Sequence, residues 1–232
     1  QTQRDGTKKK RNARNRNNHK PYLTLGHYWT ISEKLNLQTS LYAITGKTGN
    51  TNLNWFDAKD PRPDYYKYLP SYYVNDHGTL SGNQTITDQS EYLQILKLWQ
   101  QNDPSVTQLD WDYLYNANYN NLYTQNNIDG INFTSLTMKR SKYIVEEYRL
   151  DPRHLGLNSF GKYIINDENQ INFGLSISKY KSKNFKIMND LLGGDFWVDI
   201  DQFAQRDFAD PNLAQNDLQN INNIIEVGDV FG

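Results

Sequence analysis

The sequence predicts an all-β fold of antiparallel strands, and three observations carry that prediction. Two stretches alternate apolar and polar residues with a strict period of two, the signature of strands with one apolar and one polar face. Each is folded back by a very short turn, while the connections outside them are very long. The composition is also poor in residues for a packed core: hydrophobic residues are 37% of 232, against 17 Tyr and 5 Trp. Pattern alone leaves two architectures open. One is a soluble sandwich whose apolar face meets a core; the other is a transmembrane β-barrel whose apolar face meets lipid.

Residues 1–20, QTQRDGTKKKRNARNRNNHK, are basic, Asn-rich and without periodicity. An arm binding nucleic acid or anionic lipid is one reading. A solvated loop is preferred, because no aromatic residues interleave the charges and the whole chain carries a net charge of only -1. Neither end resembles a natural terminus, and the chain is read as an internal piece of a longer protein.

Residues 21–46 hold the first hairpin. Leu23, Leu25, His27, Trp29 and Ile31 share one face, and Tyr22, Thr24, Gly26, Tyr28 and Thr30 the other. After the turn Ser32-Glu33-Lys34, Leu35, Leu37, Thr39, Leu41 and Ala43 alternate with Asn36, Gln38, Ser40 and Tyr42. Both strands reach the roughly 9–11 residues that cross a bilayer when tilted. The absence of an 18-residue apolar run therefore does not argue against a membrane.

Residues 47–140 read as a long loop with prolines at 61, 63 and 70, which stop ladder pairing and fix an irregular path. It should carry short helices near 88–101, with Thr87-Asp88 as cap, and near 110–116. Residues 141–185 repeat the hairpin plan around a turn at 166–169. Leu155, Leu157, Tyr163 and Ile165 oppose His154, Asn158, Phe160 and Lys162 before it; Ile171, Phe173, Leu175 and Ile177 oppose Asn172, Gly174, Ser176 and Ser178 after it. Residues 186–232 form a further, incomplete loop region.

Covalent chemistry finds no support. No carboxylate pair is singled out by its spacing, and the four histidines show no H-x₃-H pairing. Nucleotide-binding and nucleophile-elbow motifs are missing, and with no cysteine there are no thiolate sites. No catalytic residue, cofactor or resident metal is assigned. Asp199, Asp201, Asp207 and Asp210 in WVDIDQFAQRDFADPN form a loop calcium candidate without the EF-hand order, against a default of solvated acids. Trp55, Tyr65, Tyr66, Tyr72, Tyr73 and Trp111 are the ligand-binding candidates, since rings stack on sugars, peptides or chelates and phenols hydrogen-bond.

The stretches RNARNRNNHKPYLTLGHYW, DPRPDYYKYLPSYY, LLGGDFWVDIDQFAQRDFADP and QNDL…GDVFG then decide between the architectures. Along nearly the whole chain they resemble the barrel region of TonB-dependent outer-membrane receptors of the Bacteroidota type. The resemblance implies an antiparallel transmembrane β-barrel segment, part of a closed barrel of about twenty-two strands around a plug. Short turns would be periplasmic and long loops extracellular. It implies import of a scarce nutrient, of siderophore, glycan or peptide class, across the outer membrane of a Gram-negative bacterium. The implied partners are TonB, reached through an N-terminal part not included here, outer-membrane lipids and a surface lipoprotein; nucleic acid is not among them. Leu23, Leu25, Leu37, Leu41, Leu155, Leu157, Phe173, Leu175 and Ile177 would face lipid. The alternative is a soluble, surface-attached glycan-binding β domain, which would bury those side chains in its own core.

Overall fold

The computed structural model describes residues 12–74, 86–126, 135–216 and 224–232. Among them the strands are β1 (Arg16–His19), β2 (Tyr22–Ser32), β3 (Leu35–Thr45), β4 (Lys47–Trp55), β5 (Leu122–Asn126), β6 (Ser135–Lys139), β7 (Tyr143–Ile164), β8 (Gln170–Asp190) and β9 (Val230–Phe231). Helices α1 (Pro70–Val74), α2 (Ile86–Gln100), α3 (Pro104–Thr107), α4 (Trp111–Tyr119) and α5 (Gln202–Asp207) are short apart from α2. The fold is all-β, mostly antiparallel sheet, and the sheet is open, not closed into a barrel. No described helix is long and apolar enough to cross a membrane. The chain divides into two compact units, one from Gln1–Leu53, Val145–Asp190 and Val227–Gly232, the other from Asn54–Ile144 and Leu191–Glu226.

The first unit is the sheet. β2 pairs β3, β3 pairs β7 and β7 pairs β8, all antiparallel. β8 lines one edge of β7 from Val145 to Ile164, so β3 and β4 share the other edge in succession. β1 continues β2 in the same way, pairing β4 from Arg16↔Asn50 to His19↔Lys47. The sheet is thus four long ribbons. Gly46, with φ 150°, joins β3 to β4, and a Cβ there would lie 2.0 Å from the His19 carbonyl oxygen. β7 runs for 22 residues and β8 for 21, about 70 Å of extended chain each.

Strand pairing therefore reaches further than sequence periodicity suggests. Lys47–Trp55 (KTGNTNLNW) and Arg16–His19 are strands, not loop, although their residues are almost all polar. Neither segment alternates in hydrophobicity, so the period-two signal is silent there. Their pairing comes from the continuing edge of β7.

Both hairpin turns lie at one end of the sheet, since Leu35 faces Tyr163 and the Ile164 N–H donates to the Lys34 carbonyl at 2.8 Å. Each is closed by a side chain that mimics the backbone. The Ser32 hydroxyl accepts from the Leu35 N–H at 3.1 Å, and the Asn166 carboxamide oxygen from the Asn169 N–H at 2.8 Å. The excursion between β4 and β7 leaves and returns at the opposite end of the ribbons.

The second unit has a small core of its own around Leu114, Tyr143, Ile144, Leu192, Phe196 and Trp197. Asn118 of α4 is its polar pin. Its amide nitrogen donates to the carbonyls of Tyr143 (2.7 Å), Leu191 (2.9 Å) and Leu192 (3.1 Å), and its oxygen accepts from the N–H groups of Lys142 (2.7 Å) and Tyr143 (2.9 Å). One buried carboxamide thereby meets five backbone groups, among them the buried Tyr143 N–H. Asp110, whose carboxylate accepts from the Tyr113 N–H at 2.9 Å, caps α4. The longer helix begins at Ile86, so Thr87 and Asp88 fall inside its first turn rather than at its cap. Their side chains lie outside the described residues.

Candidate functional site

In the first unit the faces are set by register. Leu25, Leu41, Leu157 and Ile177 lie directly opposite one another across all four ribbons. Leu23, Ala43 and Leu155 make the row above; Trp29, Leu37, Gly161 and Phe173 make a row below. The side chains expected to face lipid therefore share one face. Leu23 is 71% exposed, Leu41 51% and Phe173 49%, while Leu37 and Leu157 are half-buried. Gly161 allows the Phe173 ring to lie over the backbone, where a Cβ would be 2.1 Å from the ring. Between these rows runs a polar one, His27, Thr39 and Ser159, in which the Thr39 and Ser159 hydroxyls pair at 3.0 Å.

The opposite face carries a row of small and polar residues, Gly26, Ser40, Asn158 and Ser176, next to a row of Tyr28, Gln38, Phe160 and Gly174. Beside them the rings of Tyr22, Tyr42, His154 and Tyr180 cross the four ribbons, with successive centroids 6.3, 5.1 and 5.6 Å apart. Gly156 leaves room for the Tyr42 ring, which a Cβ would meet at 2.2 Å.

In the second unit four of the six aromatic candidates join Tyr68 in a connected chain. Tyr68, Tyr65, Tyr66, Tyr72 and Tyr73 follow one another edge to face, with centroids 5.2, 4.8, 5.8 and 5.7 Å apart. The two ends of that chain, Tyr68 and Tyr73, line a cavity of about 340 Å³ together with Lys59, Asp60, Arg62 and Tyr113. Trp55, Tyr65, Tyr66, Tyr72 and Trp111 are not among its lining residues. Trp55 instead supports the Arg62 guanidinium, 5.3 Å from the ring centroid, and Trp111 opens α4.

The rim is built by Asp60-Pro61-Arg62-Pro63. Arg62 grips the Asp60 carboxylate with Nε at 2.9 Å and Nη2 at 2.6 Å, and its N–H closes onto the same carboxylate. The Tyr68 hydroxyl donates to the Asp60 carbonyl at 3.0 Å. Burial, then the Asp60 charge, raises the Tyr68 phenol above its ordinary value; burial, then Glu91, does the same for Tyr73. Both stay neutral hydrogen-bonding groups at physiological pH. Neutral phenols, ring edges and a fixed ion pair suit the binding of a polar ligand. Sequence reasoning missed Asp60, Arg62 and Tyr113 as lining groups, although the Pro-bracketed D-P-R-P was a readable sign of a rigid turn.

The calcium candidate does not assemble. Asp201 caps α5 by accepting from the N–H groups of Phe203 and Ala204, and Asp207 pairs with Arg206. Among the described residues no three His, Asp or Glu side chains converge on one point.

Neither protein-family models nor curated proteins give a match to this sequence.

Proposed function

We propose that the chain is part of an outer-membrane β-barrel transporter that imports a scarce nutrient, its sheet forming a sector of the barrel wall. The observation that carries this reading is the uncovered apolar face: Leu25, Leu41, Leu157 and Ile177 in one row, with none of Leu23, Leu37, Leu41, Leu157 or Phe173 buried. A soluble glycan-binding domain would bury these side chains. Lipid is the solvent in which such a face is stable. From Leu155 to Tyr163 this face of β7 runs about 26 Å along the strand, about 20 Å upright at a tilt near 40°, most of the roughly 25 Å height of an outer-membrane apolar band.

Tight turns at one end and a long excursion at the other fit periplasmic turns and extracellular loops. The polar face with its aromatic row would line the lumen. Among the described residues β2 and most of β8 are open edges, and they need further strands to close the wall. Within the excursion, the cavity beside Asp60–Arg62 is the ligand contact this reading favours, and the segment performs no covalent chemistry. TonB supplies energy through a plug that lies outside these residues.

The test is gel mobility of the membrane-extracted protein with and without boiling, beside a carbonate wash of the membranes. A closed barrel migrates faster unboiled and resists the wash. Release by carbonate without a heat shift would replace the transporter reading with a soluble binding domain.

A further inference from the structure

Beyond the apolar band β8 changes character while keeping its step of two. Ile171, Phe173, Leu175 and Ile177 are followed on the same face by Lys179, Lys181 and Lys183. The intervening side chains, Tyr180, Ser182 and Asn184, carry no charge. Arg153 of β7 lies directly opposite Lys181 and adds a fourth cation. All four are exposed. Lys179 borders the shallow apolar concavity formed with Leu155 and Ile177, which ties the row to the band's face.

The neighbouring acid does not neutralise this row. Asp151, opposite Lys183, takes a 3.1 Å bond from the Arg149 guanidinium on its own strand. Among the described residues none of the three lysines is within ion-pair distance of a carboxylate. Lysines also protect open strand edges from unwanted pairing. That role would be served by either face, whereas these occupy only the face that carries the band.

We propose that Lys179, Lys181, Lys183 and Arg153 form a binding row for the phosphate groups of anionic lipid headgroups at the outer-leaflet rim of the band. The inference rests on the membrane reading above and deepens it. Lysine stems lie along apolar surface while the ammonium reaches upward to the headgroup layer, which places the charges where lipid phosphates are. The row lies midway along β8, past the band on the side away from the tight turns, the outer side in the orientation proposed.

The test uses the intact protein reconstituted in phosphatidylcholine vesicles with and without phosphatidic acid, with lipid retention counted by native mass spectrometry. Wild type should retain phosphatidic acid in preference to phosphatidylcholine. K179Q/K181Q/K183Q should lose that preference by about tenfold or more, since each cation near an anionic surface contributes about fivefold. K179R/K181R/K183R should keep it, and K162Q, on the opposite face, should leave it unchanged. Inorganic phosphate should not displace the lipid. An indifferent wild type, an unchanged glutamine variant, or displacement by inorganic phosphate would each overturn the proposal. Release of the wild type by carbonate would instead be the failure of the membrane reading itself. If the glutamine variant does not fold, the wild-type preference and the arginine variant still decide.

Discussion

Two side chains carry most of the residue-scale argument, and they differ in how visible they are beforehand. Leu41 sits at the centre of the Leu25–Leu41–Leu157–Ile177 row, and its alternation with Ser40 and Tyr42 is plain in the sequence. Leu41→Arg is expected to cost about 2–4 kcal/mol in a refolding titration into lipid if the position lies near the midplane, while Ser40→Arg, on the opposite face, should cost far less. Asn118 is the opposite case. Its partners include Leu191 and Leu192, 73 and 74 residues away, and nothing in DWDYLYNANYN separates it from the other asparagines. Asn118→Ala should destabilise the second unit by about 3 kcal/mol in denaturant unfolding, because the Lys142 and Tyr143 N–H groups lose the carboxamide oxygen in a dry site. Asp103 gives a pH expectation. Hydrogen bonds from the Ser105 side chain, then from its N–H, hold the Asp103 carboxylate below its ordinary value. Its contribution is present above the unfolded pKa and is lost as the pH falls through the lower folded one. Protection of the Ser105 N–H from hydrogen exchange should therefore persist at mildly acid pH and disappear only in strong acid.

At the scale of elements, the hairpins were legible and the continuations of β2 and β3 into β1 and β4 were not. Tyr22–Ser32, Leu35–Thr45 and the strands around 166–169 announce themselves by alternation, since one face meets an apolar medium and the other does not. β1 and β4 carry no such contrast, and their pairing follows from the length of β7, a tertiary cause that local pattern cannot report. The helix that follows Asp110 was legible through that polar cap, whereas the start of the longer helix and the lining of the cavity were not. Clustered rings do not show which of them bind: most pack against one another, and of that ring chain only its ends, Tyr68 and Tyr73, reach the cavity. Glycine–aromatic pairs offer an element-scale test. Gly156→Val should force the Tyr42 ring away and cost about 1–3 kcal/mol in unfolding measurements. Added to Tyr42→Ala, the same substitution should cost clearly less, a non-additivity that identifies the contact.

For the whole molecule, the account turns on what solvates the sheet. The composition is low in hydrophobic residues, most aliphatic side chains of the sheet share one uncovered face, and among the described residues the sheet's edges are open. In the proposed reading, lipid on one side, a polar lumen on the other and neighbouring strands at both edges would resolve all three at once. The chain contains no cysteine, so single cysteines introduced at Leu41 and at Ser40 can each carry one fluorophore. In the reconstituted protein, quenching by lipid-borne nitroxide should be strong at position 41 and weak at position 40, with the water-soluble quencher reversing that order. Equal quenching at the two positions, or access of the water-soluble quencher to position 41, would contradict a lipid-facing sheet.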